Sequence, residues 1–167
     1  RSGMADDRLD HRSRSSARRR SAQGQRGADA QGLGRSRGGL STKIHAATEA
    51  LGLPVRLIGS PGQRNDIAFA HDLIDGIKAD VAIADKGYDA DPLANRIAEA
   101  GTEVVIPPKR NRKVQRTYDV DLYKERNRIE RFFAKLKQFR RVATRYDKLL
   151  VNFMSFVKLA AIAIWLR

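Results

Sequence analysis

The chain has no cysteine among its 167 residues. That absence excludes disulfides, thiolate nucleophiles and cysteine-based zinc sites, and it fits a reducing cytoplasm. Acidic side chains are scarce relative to basic ones: 19 Asp and Glu stand against 33 Lys and Arg, a net charge of +14. Such an excess favours a polyanionic partner, bound with an affinity that falls as salt rises. Long apolar runs are missing as well. The most apolar stretch, L-L-V-N-F-M-S-F-V-K-L-A-A-I-A-I-W-L-R, is broken by Asn152, Ser155 and Lys158 and keeps eight uninterrupted apolar residues, Leu159–Leu166. A bilayer span needs about twenty, so the segment reads as a buried or interfacial helix and no membrane partner is expected. The first forty residues hold no apolar segment of the signal-peptide kind. His45 and His71 lie too far apart in the chain to form a local metal motif, and both read as packing or surface residues.

A chain of this length accommodates one domain with a real core. Residues 1–39 form a basic segment with few large apolar side chains; residues 1–40 hold ten arginines and four aspartates. Such a stretch buries too little surface to offset its ordering entropy, so disorder is expected there. From residue 40 to 167 the pattern is that of a folded domain. Residues 41–49 and 54–59 read as a strand pair joined at Gly52 and Pro54, and 66–77 as a helix. Val81–Ala84 reads as a short strand buried on both faces, ending at Asp85. Asp91-Pro92 starts a helix that closes near Gly101, and 102–106 forms a strand stopped by Pro107 and Pro108. A basic loop, K-R-N-R-K-V-Q-R, occupies 109–116; a long helix over about 119–140 and a C-terminal helix from about 148 follow. The order β-β-α-β-α-β-α-α predicts a mixed α/β sheet flanked by helices.

The long helix carries the most specific pattern. At about 100° per residue, Tyr123, Arg126, Glu130 and Lys137 fall within an arc of roughly 60°. One face therefore presents a phenol, two cations and a carboxylate, a set suited to holding a metal ion beside a phosphate. The plain alternative is a basic surface helix with internal ion pairs. Asp85 ends its strand beside Gly87, where it reads either as a turn or cap residue or as a carboxylate projecting at the carboxyl edge, where open α/β sheets bind ligands.

The spacing Tyr-x2-Arg-x3-Glu-x6-Lys resembles the signature of bacterial insertion-sequence transposases with a DDE triad, in particular the insertion sequence five group. The likeness extends through G-R-S-R-G-G-L-S-T-K-I-H-A at 34–46, P-G-Q at 61–63, A-D-K-G-Y-D at 84–89 and I-P-P-K-R-N-R at 106–112. It implies a ribonuclease-H-like fold and metal-dependent DNA cleavage and strand transfer at insertion-sequence ends. Asp85 and Glu130 are then the second and third catalytic acids, holding Mg²⁺ or Mn²⁺. Tyr123, Arg126 and Lys137 become DNA-binding residues, with Lys86, Lys109, Arg110 and Arg112 as further backbone contacts. The implied partners are transposon-end and target DNA and further copies of the chain, in the bacterial cytoplasm at the nucleoid.

One part of the pattern is missing. The family's first aspartate stands in an apolar D-S-T segment on the central strand, and no such segment precedes the G-R-S-R-G-G block; Asp6, Asp7 and Asp10 lie in polar sequence. Codons exist for residues 4–17 that, read one nucleotide later, encode W-L-M-I-D-S-T-I-V-R-A-H-Q-H. The expectation is a chain that begins out of frame and rejoins the family frame between residues 18 and 30, lacks the central strand and is inactive alone. The competing functional reading is a non-catalytic nucleic-acid binder, a regulatory or decayed remnant.

Overall fold

The computed structural model describes residues 2–9, 30–36 and 39–167. The strands are β1 (Ser2–Leu9), β2 (Gly34–Ser36), β3 (Gly39–Thr48), β4 (Pro54–Pro61), β5 (Val81–Ala84) and β6 (Glu103–Val105). The helices are α1 (Ile67–Ile74), α2 (Asp91–Glu99), α3 (Val120–Lys124), α4 (Asn127–Leu136), α5 (Arg140–Ala143) and α6 (Leu150–Trp165), with a 3₁₀ turn over Lys86–Tyr88. The strand order is β2-β3-β1-β5-β6, and β4 pairs with β3. Mixed α/β architecture follows, as the sequence predicts.

The central position is filled, which corrects the expectation of a missing strand. Backbone of Ser2, Gly3 and Met4 pairs in parallel with Ala82, Ile83 and Ala84. Ladder hydrogen bonds use peptide groups rather than side chains, so a polar segment still satisfies the edges that β3 and β5 would otherwise expose. The disorder expected for 1–39 is likewise corrected over 2–9 and 34–36, while 10–29 lie outside the described residues.

The chain divides into two compact units. The first comprises Arg1–Asp6, His45–Ile58 and Asn65–Ala134; the second comprises Asp7–Ile44, Gly59–Arg64 and Lys135–Arg167. In the first, β5 organises the core by simple alternation. Ala82 and Ala84 face a cluster with Leu73 of α1, Leu93 and Ile97 of α2, Tyr88 and Ile106. Val81 and Ile83 face the other way with Val105, against Tyr118, Leu122 and Tyr123. Both faces are covered, which is why V-A-I-A reads as an unbroken apolar run. Each fully buried Leu or Ile contributes about 1.5–3 kcal/mol of transfer free energy. Parallel pairing of β5 with β6 sets Val81 opposite Glu103 and Ile83 opposite Val105. Helix α2 starts with Asp91 and Pro92 in its first turn, capped at Ala90, and ends at Gly101, whose φ of 76° suits only glycine comfortably. His45 is buried and stacks on Phe69, 4.6 Å between ring centres, a packing role as expected. His71 bonds to Arg96 near the surface.

The second unit is held by a buried arginine. Arg145 donates to the carbonyls of Gln31, Gly32, Asp147 and Lys148 and to Thr42 Oγ1, and its guanidinium lies 5.1 Å from the Phe153 ring centre. Burial pushes its pKa down, and Asp147 partly offsets that. Helix α6 buries Phe153, Met154, Val157, Ala160, Ala161 and Ile164. A Cβ on Gly59 would come within 2.7 Å of Met154 Sδ, so glycine there lets the Met154 and Leu150 side chains lie close against β4.

The single helix expected over 119–140 is two, α3 and α4, with the short α5 beginning at its far end. Asp119 caps α3 by accepting from the amides of Asp121 and Leu122. At the α3–α4 junction the amides of Glu125, Arg126, Arg128 and Ile129 bond three residues back rather than four. Asn127, a weak helix former, sits at this tightened turn. No helix among the described residues is long and apolar enough to cross a membrane.

Candidate active site

Asp85 leaves β5 in an extended conformation (φ −67°, ψ 157°), so its carboxylate stands at the carboxyl edge of the strand, where Oδ1 accepts from the Gly87 amide at 3.3 Å. Oδ2 faces Arg126 Nη1 at 3.8 Å. The other terminal nitrogen, Nη2, lies 2.8 Å from Glu130 Oε1. One guanidinium thus sits between two acids from distant parts of the chain. Arg126 is 25% exposed and the acids 41% and 51%, so solvent reaches both carboxylates.

The tightened helix junction builds this arrangement. In 3₁₀ geometry residues three apart eclipse, and Arg126 comes to lie 5.4 Å from the Tyr123 ring centre. Tyr118 packs edge-on against the same ring. Burial raises the Tyr123 pKa; Arg126 opposes the rise, while Asp85, Tyr118 and Glu130 add to it. The phenol is therefore a neutral hydrogen-bond donor at working pH, in the field of both acids. Ile129, Phe132, Phe133 and Leu136 are buried along α4, which fixes Glu130 on its exposed face.

Asp85 also lines a cleft of about 430 Å³ with Asp66, Lys86, Gly87, Tyr88, Lys109, Arg110 and Asn111. The first unit accordingly brings together Asp85, Glu130, Tyr123 and Arg126 in one cluster, and Asp85, Lys86, Lys109 and Arg110 in one cleft. Lys137 is exposed on the turn after α4 and belongs to the second unit. Arg112, expected as a backbone contact, is held by the loop's own groups. Its guanidinium bonds to Asp89 (3.0 Å), Asp91 and the Val114 carbonyl and is only 18% exposed, so it braces the loop. The acids Asp66 and Asp89 were not singled out by the sequence. A pair of acids two apart and a pair of arginines four apart are visible there, but nothing in one dimension joins them.

The donor set suits a hard cation. Mg²⁺ is commonly held by one or two carboxylates, its remaining positions going to water and substrate phosphate, and Asp85 with Glu130 supplies such a pair. Among the described residues no third Asp, Glu, His or Cys joins them in a metal-binding group.

The first unit is thus a mixed α/β arrangement with one acid at a strand edge, a second on α4, and a basic cleft beside the first. The family described as the transposase DDE domain matches residues 10–166, and the chain belongs to it. DNA transposition is the function that this membership carries. A Brucella ovis protein assigned to insertion sequence element IS6501 as its transposase is 45% identical over 132 residues, covering 77% of this chain and all of that protein. A Burkholderia cepacia counterpart for element IS402 is 30% identical over 130 residues, 71% of this chain and 59% of that protein. Among solved structures, the piggyBac transposase synaptic complex with hairpin DNA aligns with a TM-score of 0.46 at 12% identity, over 67% of this chain and 23% of that chain.

Proposed function

We propose that the chain is the ribonuclease-H-like catalytic domain of an insertion-sequence transposase, cutting DNA at the element's ends and joining the freed 3′ hydroxyl to target DNA. The supporting observation is the convergence of Asp85 and Glu130 on a single guanidinium. The central place of β1 in the strand order supports the fold reading. In this reading Asp85 and Glu130 hold Mg²⁺ or Mn²⁺, which when bound activates the attacking oxygen and stabilises the leaving one. Arg126 would direct its forked donors to the scissile phosphate. Tyr123 donates its phenolic proton to a neighbouring phosphate oxygen. Lys86, Lys109 and Arg110 hold the DNA backbone along the cleft wall, and Lys137 adds a point charge beyond α4. The chain works on paired ends as a homo-oligomer, in the bacterial cytoplasm at the nucleoid.

Cleavage of a labelled duplex carrying the element's terminal repeat, in the presence of Mg²⁺, tests the reading. Asp85→Asn or Glu130→Gln is expected to lower cleavage on the order of a hundredfold or more while leaving DNA binding in place. The absence of a third acid among the described residues favours one other reading, a non-catalytic occupant of the ends. Salt-sensitive binding with no cleavage by the parent chain would establish that alternative.

A further inference from the structure

The basic loop 109–116 reads in sequence as one run of phosphate-seeking side chains, yet the structure divides it into two kinds of residue. Asp89 is buried, its side chain 1% exposed, directly after the 3₁₀ turn that follows Asp85. Its Oδ2 accepts from the Lys109 amide at 2.8 Å, and its Oδ1 from Arg112 Nη1 at 3.0 Å and Arg116 Nη1 at 3.2 Å. The Asp89 carbonyl also accepts from Lys109 Nζ at 3.2 Å. Asp91 takes the second nitrogen of each arginine from the solvent side. Two acids and two arginines thus close a clamp at the base of the loop. Lys109 and Arg110, at its near end, are exposed and line the cleft with Asp85 and Lys86.

We propose that Asp89 is a positioning residue for DNA: its buried carboxylate fixes the loop so that Lys109 and Arg110 meet the backbone phosphates, while Arg112 and Arg116 serve as the anchor and touch no DNA. The proposal rests on the DNA-processing reading of the cleft. Its physical basis is the strength of charge-assisted hydrogen bonds in a site shielded from water, which exceeds that of exposed pairs. Fixing the loop in advance removes the ordering cost that a free basic segment would meet on binding.

The sign of one substitution separates this role from ordinary electrostatics. Removing a negative charge from a DNA-binding protein, by itself, tightens its hold on a polyanion. For Asp89→Asn in the full chain the proposal expects the reverse: affinity for a fluorescein-labelled DNA duplex falls on the order of tenfold. The plot of log affinity against log salt should also become shallower by about two phosphate contacts. Combining Lys109→Ala and Arg110→Ala with Asp89→Asn should add little further loss, because the contacts are already displaced. Hydrogen exchange at the Lys109 amide, measured without DNA, should be slow in the parent and fast in Asp89→Asn. Where Asp89→Asn fails to fold, Asp91→Asn loosens the same arginines from the surface side and is expected to move each readout in the same direction. Unchanged or tighter binding with an unchanged salt slope, or an equally protected Lys109 amide, overturns the proposal. A parent chain that binds no duplex overturns the functional reading instead, and the exchange measurement still decides whether Asp89 anchors the loop.

Discussion

Arg126 lies between Asp85 and Glu130, the two acids proposed to hold a divalent cation, and on that proposal Arg126→Ala has two opposed effects. The guanidinium neutralises both acids in competition with metal. The groups involved are 25–51% exposed and the contacts are 2.8 and 3.8 Å, so solvent screening holds the competition to roughly 1 kcal/mol in all. Removing it should tighten Mn²⁺ binding to the DNA-free chain about two- to fivefold. The same change removes a forked donor from the scissile phosphate, a loss of the size seen for other transition-state donors, about 100- to 1,000-fold in cleavage rate. Calorimetric or electron-paramagnetic titration of Mn²⁺ gives the first quantity and single-turnover cleavage the second. Weaker metal binding in Arg126→Ala would refute the reasoning, because Arg126 would then be organising the acids rather than competing for them. Retained cleavage would remove its assigned contact with phosphate.

Leu93→Ala, at a fully buried position against β5, should lower unfolding free energy by about 2–5 kcal/mol in a urea melt, and a loss under 1 kcal/mol would contradict the packing described. Hydrogen bonds from Arg116 and then Arg112 hold the Asp91 pKa below its ordinary 3.8. A carboxyl depressed in the folded state stabilises above its unfolded pKa, and that contribution disappears as pH falls through the folded value. Protection of the 109–116 amides should therefore persist down to about pH 4 and fade below it; fading already above about pH 5 would contradict the clamp. The nucleotide sequence of the first thirty codons should encode the apolar D-S-T segment in the shifted frame, and its absence would end the frame-shift explanation.

The core and the chemical face were largely legible in the sequence. V-A-I-A announced a strand covered on both sides because its four side chains alternate between two packed layers. The helix face was legible because Tyr123, Arg126 and Glu130 recur at helical spacing, and the break at 125–126 tightens their grouping rather than scattering it. The break itself was not, since continuous amphipathic periodicity masks a single tightened turn. The strand at 2–9 escaped notice because S-G-M-A-D-D-R-L has neither the apolar run nor the alternation by which a strand is read, while its pairing uses only peptide groups. Asp89 escaped because its partners lie some twenty residues along the chain, and only the folded backbone brings them together.

The account stands on Asp85 and Glu130 sharing one cation. Fe²⁺ placed in that position, with ascorbate and peroxide, generates hydroxyl radicals that cut the nearest backbone whether or not the chain is catalytically active. Cuts at both the end of β5 and the first turns of α4, lost together in either Asp85→Asn or Glu130→Gln and suppressed by excess Mg²⁺, are the predicted result. Cutting at one of the two segments alone, unaffected by substitution in the other, would contradict it.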